Sequence, residues 1–157
     1  MGTTIVPICH SAKLSGKHLL LTLTYRIPVE SWVLEFPGGL ADGEGVAVCG
    51  ARELKEETGY TGKIRDGYEK AFQTVTDPWK SNDTAAIVFA DVNLDDKENE
   101  NQKQKLDEDE NIQTIILPLK NLKQEINKLR TEKKIMVSSN LWSFAEGLEL
   151  SQSLLKI

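Results

Sequence analysis

The sequence predicts a mixed α/β sandwich with one acidic helix packed on a sheet, and three observations predict it. Runs of apolar and β-branched residues recur before residue 37 and after residue 62 and read as strands. Between them Glu53, Glu56 and Glu57 fall at i, i+3 and i+4, the spacing that brings side chains together on one helix face. Toward the end, Leu119, Leu122, Ile126 and Leu129, and then Leu141, Ala145 and Leu148, recur at helical spacing and predict two scaffold helices.

Taken in order, Thr3–Ile8 and His18–Tyr25 read as a β-hairpin turned by the polar stretch around Ser15 and Gly16. Arg26 and Pro28 follow, and Trp32–Phe36 forms a short strand that Pro37, Gly38 and Gly39 terminate. The helix then starts from Gly43, Glu44 and Gly45, with an acid near the positive end of its dipole, and stops at Gly59, which can take the left-handed conformation. Val46, Val48, Ala51 and Leu54 supply its apolar side, and Arg52 stands four residues before Glu56, where it can pair with that carboxylate. Lys63–Thr76 and Thr84–Val92 read as two strands joined by a surface loop from Asp77 to Asp83 that is dense in turn formers. Residues 93–111 hold almost no apolar side chain, so the segment is expected to be a long loop, mobile at least in part. Ile112–Leu117 is the strand that follows, closed by Pro118.

A chain of 157 residues fits one domain, 1–157, and buries about 70% of its extended surface on folding. Apolar content of 39% and charged content of 27% are those of a soluble globular protein, and no apolar run approaches the roughly 20 residues of a membrane span. No secretory signal precedes the first strand, so an intracellular, cytoplasmic location is the default. Cys9 and Cys49 are too few for a disulfide framework and are expected to be reduced and inert; His10 and His18 read as ordinary strand residues. The net charge of −5 lies entirely in residues 95–110, and no basic patch balances it elsewhere, which disfavours a long nucleic acid as partner.

Three carboxylates on one helix face repel one another, and each raises its neighbours' pKa. A cation must hold them together, and a hard divalent ion with oxygen ligands, Mg²⁺ above all with Mn²⁺ second, suits them. The plainer alternative is a solvated acidic face. Glu35, inside an apolar strand, points either at the acidic helix or at water.

The run from Gly38 to Tyr60 resembles the signature of the Nudix hydrolases: Gly38, five residues, Glu44, seven residues, Arg52, Glu53, Leu54, one residue, Glu56, Glu57, one residue and Gly59. Seven fixed identities at background usage recur by chance about once in 10⁸ start points or fewer. Tyr60 departs from the usual aliphatic residue at the last position. The resemblance implies an α/β/α sandwich with a mixed sheet and a catalytic loop-helix-loop. It also implies metal-dependent hydrolysis of a nucleoside diphosphate linked to another group.

Beyond that run the chain resembles the ADP-sugar (ADP-ribose) pyrophosphatase branch, through Tyr25-Arg26, Glu35-Phe36-Pro37, Asp77-Pro78 with Ser81 and Asn82, Lys103–Glu110, Leu117-Pro118 and the helix around Trp142. Carried over by position, Glu53 and Glu57 are the principal metal ligands, the Gly38 carbonyl and Glu56 contribute, and Glu44 and Arg52 support their geometry. Arg26 meets the anionic substrate, with Glu35, Asp77 and Trp79 as further candidate substrate contacts, and Glu110 is the general base, flanked by Asp107, Glu108 and Asp109. Trp79 replaces a usual Gly and reads as either a stacking surface or a cap on the core. Members of the branch commonly carry a longer N-terminal segment that supports dimerisation and adenine binding. The chain is expected to lack it, which leaves a homodimer an open expectation. A dinucleotide or oxidised nucleotide as substrate, and a non-catalytic nucleotide-binding module, stand as the alternatives.

Overall fold

The computed structural model describes residues 1–68 and 72–155. Its elements are β1 (Gly2–His10), β2 (His18–Arg26), β3 (Ser31–Glu35), β4 (Gly38–Leu40), α1 (Val46–Thr58), β5 (Lys63–Ile64), β6 (Gln73–Val75), β7 (Thr84–Asn93), β8 (Ile112–Pro118), α2 (Leu122–Lys133), β9 (Met136–Val137) and α3 (Ser139–Leu155). β1 runs parallel to β7 along its whole length, Gly2 opposite Ala85 and His10 opposite Asn93. On its other side it pairs antiparallel with β4 at its start, Thr4 opposite Gly38, and with β2 at its end, Cys9 opposite His18. β2 lies antiparallel to both β3 and β8, with Leu23 opposite Leu34 and Leu20 opposite Ile116.

Central strands covered on both faces need apolar residues on both, which is why His18–Tyr25 reads as a nearly unbroken apolar run. Ile5, Cys9, Leu20, Ala86, Val88, Ala90 and Val92 pack with Val46, Leu54 and Tyr60 beneath α1. Val6, Ile8, Leu19, Leu21, Leu23 and Leu34 face the opposite way, against Leu122, Ile126, Leu141 and Ala145 of α2 and α3. The result is the expected α/β/α sandwich on a mixed sheet. No helix among the described residues is long and apolar enough to cross a membrane.

Several expectations are corrected. The buried face of α1 is Val46, Cys49, Gly50, Leu54, Glu57 and Thr58, whereas Val48 is 62% exposed and Ala51 also faces solvent. At 100° per residue, Val48 stands on the far side from Val46, so side-chain type misled where spacing would not. A Cβ on Gly50 would meet Val88 Cγ2 at 2.9 Å and Ile5 Cγ1 at 3.3 Å, so the helix rests close on β1 and β7. The single strand expected over Lys63–Thr76 is two short ones, β5 and β6, both paired with β7; its portion at 69–71 lies outside the described residues. Gly38 and Gly39 end β3 as expected but continue into β4, and the edge strand β9 carried no sequence signal of its own.

The polar 93–111 segment, expected as a long and partly mobile loop, is anchored at Asn99. Asn99 is 3% exposed. It accepts the Thr61 N–H at 2.7 Å and donates to the carbonyls of Thr61 at 3.0 Å and Asn93 at 2.8 Å. Side-chain amides here do the anchoring that apolar burial does elsewhere.

Candidate active site

β3 and β4 deliver a Gly-Gly turn directly against α1. The Pro37 carbonyl accepts the Ile5 N–H at 2.9 Å, and the Gly38 N–H donates to Glu57 Oε2 at 2.8 Å. A Cβ on Gly39 would collide with Glu53 Oε1, so only glycine lets that carboxylate lie on the turn. At the other end Gly59, with φ +76°, stops the helix in the left-handed conformation, as the sequence predicts.

Arg52 organises the partly buried acids. Its Nε and Nη2 donate to Glu44 Oε1 at 2.9 and 2.6 Å, and its Nη1 lies 2.8 Å from Glu56 Oε2 and 2.9 Å from Glu53 Oε1. Nη2 also donates to the Leu40 carbonyl at 3.2 Å. Glu44 thus serves Arg52; no acid occupies the first turn of α1. Arg26 makes a two-bond fork with Glu35, at 3.1 and 2.7 Å, so Glu35 points at a cation rather than at water alone.

A cleft of about 710 Å³ gathers most of the predicted residues: Arg26, Gly38, Glu44, Arg52, Glu53, Glu56, Glu57 and Glu110 line it. Asp77, Trp79 and Glu35 are not among its lining residues. Asp77 and Trp79 sit in the turn before β7, where the Asp77 carbonyl accepts from Lys80 and Ser81 and Trp79 is 84% exposed rather than a cap on the core. Lys105, Asp107 and Asp109 also line the cleft. In the sequence Lys105 counts only as charge, although its place two residues before Asp107 is signal enough to put it beside the acids.

Burial pushes the Glu57 carboxyl up to about 8, helped by the charges of Glu53 and Glu110 and opposed by the Gly38 N–H and Arg26. Burial also raises Glu53, against the pull of Arg52. Burial outweighs the nearby positive charge at both: Arg52, shared with Glu44 and Glu56, offsets it only in part at Glu53, and Arg26 only in part at Glu57. As the side chains stand, no group of three or more His, Cys, Asp or Glu among the described residues is arranged to hold a metal ion. Arg52 draws Glu44, Glu53 and Glu56 to itself, and Gly38 holds Glu57. The chemistry of the donors nevertheless fits a hard divalent cation: buried carboxylate oxygens, too little cationic compensation and a glycine cradle beside Glu53.

Comparison with known proteins finds relatives of the chain. The NUDIX domain model matches residues 5–138. An uncharacterised Nudix hydrolase of Schizosaccharomyces pombe is 34% identical over 145 residues, covering 92% of this chain and 66% of that protein. The ADP-sugar pyrophosphatase of Mus musculus is 30% identical over 153 residues, covering 97% of this chain and 68% of that protein. The chain thus spans about two thirds of the length of these relatives. Among solved structures, the crystal structure of a C. elegans Ap4A hydrolase binary complex shares the fold at a TM-score of 0.58, with 16% identity and 100% of both chains covered.

Proposed function

The chain belongs to the Nudix family, and from that membership we propose that it hydrolyses the diphosphate of a nucleoside diphosphate sugar such as ADP-ribose, giving AMP and a sugar phosphate. One observation carries the reading: Glu53, Glu57 and Glu110 line a single cleft in which two further acids, Glu44 and Glu56, are held by Arg52. Similarity to an ADP-sugar pyrophosphatase over 97% of the chain supports the substrate class.

In this reading Glu53 and Glu57 would hold a divalent cation, Mg²⁺ or Mn²⁺, with the Gly38 carbonyl and Glu56 as further ligands. When bound, such an ion would supply charge to neutralise phosphate oxygens and would lower the pKa of the attacking water. Arg52 keeps Glu44 and Glu56 oriented. Arg26 leaves part of its fork with Glu35 to meet the anionic diphosphate, and Glu110 takes the proton of the water. Asp77 and Trp79, which do not line the cleft, have no part in this scheme.

The test is release of AMP or phosphate, with Mg²⁺, from ADP-ribose, ADP-glucose, diadenosine polyphosphates and 8-oxo-dGTP. Higher kcat/KM for the two ADP-sugars is the expected result. Preference for a dinucleotide or a triphosphate overturns the substrate class, and tight binding without turnover of any of them overturns catalysis.

A further inference from the structure

We infer that Gln104 is a positioning residue that sets the Glu110 loop against α1, a role resting on the assignment of proton acceptance to Glu110 above. The last carbonyls of a helix have no partner within it. In α1 two of them are met from the 93–111 segment: the Lys105 N–H donates to the Glu56 carbonyl at 2.8 Å, and the Gln104 side-chain amide donates to the Glu57 carbonyl. The same Gln104 Nε2 donates to the Ile112 carbonyl at 3.0 Å.

Gln104 therefore joins three things with one nitrogen: the C-terminal turn of α1, the first residue of β8 and the chain just before the acidic loop. Residues 105–111 are closed into a loop pinned at both ends, at Lys105 on Glu56 and at Ile112 through Gln104. The loop carries Asp107, Asp109 and Glu110 to the rim of the cleft. Within it, Glu110 Oε2 accepts the Asp107 N–H at 2.9 Å, and the Glu110 N–H donates to the Asp107 carbonyl at 3.1 Å.

The approach to Gln104 is equally constrained. Gln102 Nε2 donates to the Tyr60 hydroxyl at 2.9 Å, so the aromatic residue at a position usually aliphatic supplies a polar hold. The backbone at Lys103 passes so close to Gly59 that a Cβ there would stand 2.7 Å from the Lys103 nitrogen. Only the side-chain amide of Gln104, however, reaches both α1 and β8.

A Gln104→Glu variant keeps the size and replaces the donor with a carboxylate facing two carbonyls. Hydrogen exchange over 106–111, compared with the wild type, reads the clamp directly; it is expected to rise at least tenfold while α1 is unchanged. With ADP-ribose and Mg²⁺, kcat is expected to fall about tenfold at a KM within twofold. In a Glu110→Gln background, Gln104→Glu should cause no further loss, because it acts through Glu110. Unchanged exchange over 106–111, or losses that multiply in the double variant, overturns the inference. If Glu110→Gln alone leaves turnover intact, the base assignment fails while exchange still decides the clamp. Gln104→Asn, one methylene short of both carbonyls, replaces Gln104→Glu if that variant does not fold.

Discussion

Glu57, 6% exposed, accepts the backbone N–H of Gly38 at 2.8 Å, so the most buried carboxylate of α1 is bonded to the turn that leaves β3. This hydrogen bond, with that from Arg52 to the Leu40 carbonyl, ties the acid-bearing helix to the strand beside it. The charge of Glu57 is the costly part of that arrangement, and its cost can be measured.

In the metal-free protein, stability is expected to fall as pH rises. Glu57 holds its proton up to about 8 in the folded state, against an ordinary value of 4.5, so between those values the folded state binds a proton that the unfolded chain has released. Melting temperature measured from pH 5 to 9 in a chelator should decline across that window. Saturating Mg²⁺, which favours the deprotonated form, should flatten the decline, and Glu57→Gln should remove most of it. A flat profile in wild-type protein without metal would contradict the burial of this charge.

Arg52→Lys should lower kcat tenfold or more while changing stability by less than about 1 kcal/mol. An ammonium cannot reproduce the guanidinium's contacts with Glu44, Glu53, Glu56 and the Leu40 carbonyl, whereas a partly exposed ion-pair network adds little to folding. Steady-state kinetics and thermal melts on the same preparation separate the two effects. An active Arg52→Ala variant would show that the acids need no such organiser.

Gly59→Ala should destabilise the protein by about 1–3 kcal/mol, from left-handed backbone strain and the close approach of Lys103. Asn tolerates the left-handed conformation but carries a Cβ, so Gly59→Asn should not restore full stability. Urea titrations of both variants test this. Recovery with Asn would mean that backbone conformation alone matters there.

Asn99→Ala should cost about 2 kcal/mol, because the Thr61 N–H and the carbonyls of Thr61 and Asn93 lose their buried partner. Asn99→Asp should cost more, setting a carboxylate against two carbonyls. Asp keeps an acceptor for the Thr61 N–H, so equilibrium unfolding that finds the two variants equal would assign the loss to the two donations from Asn99 alone.

The spacing of Glu53, Glu56 and Glu57, the Arg52 to Glu56 offset and the Gly59 stop were legible because helical geometry acts within a few residues. The same local rules did not reveal that Gln104 reaches Glu57, 47 positions away, or that Asn99 reaches Thr61 across 38. Amide-to-carbonyl bonds of that range leave no periodicity, so a segment poor in apolar residues reads only as a long, partly mobile loop. Val48 and Ala51 misled for the opposite reason: their type suggested burial, and only their angle around the helix, fixed by Val46 and Leu54, shows otherwise.

The first strand has consequences for how the chain reaches its native form. Gly2 pairs with Ala85, and Leu19 of the next strand pairs with Leu117, so both early strands wait for partners that leave the ribosome much later. Such high contact order makes for slow folding. A nascent chain that stops short of β8 can wind its acidic helix but has no finished sheet on which to seat it.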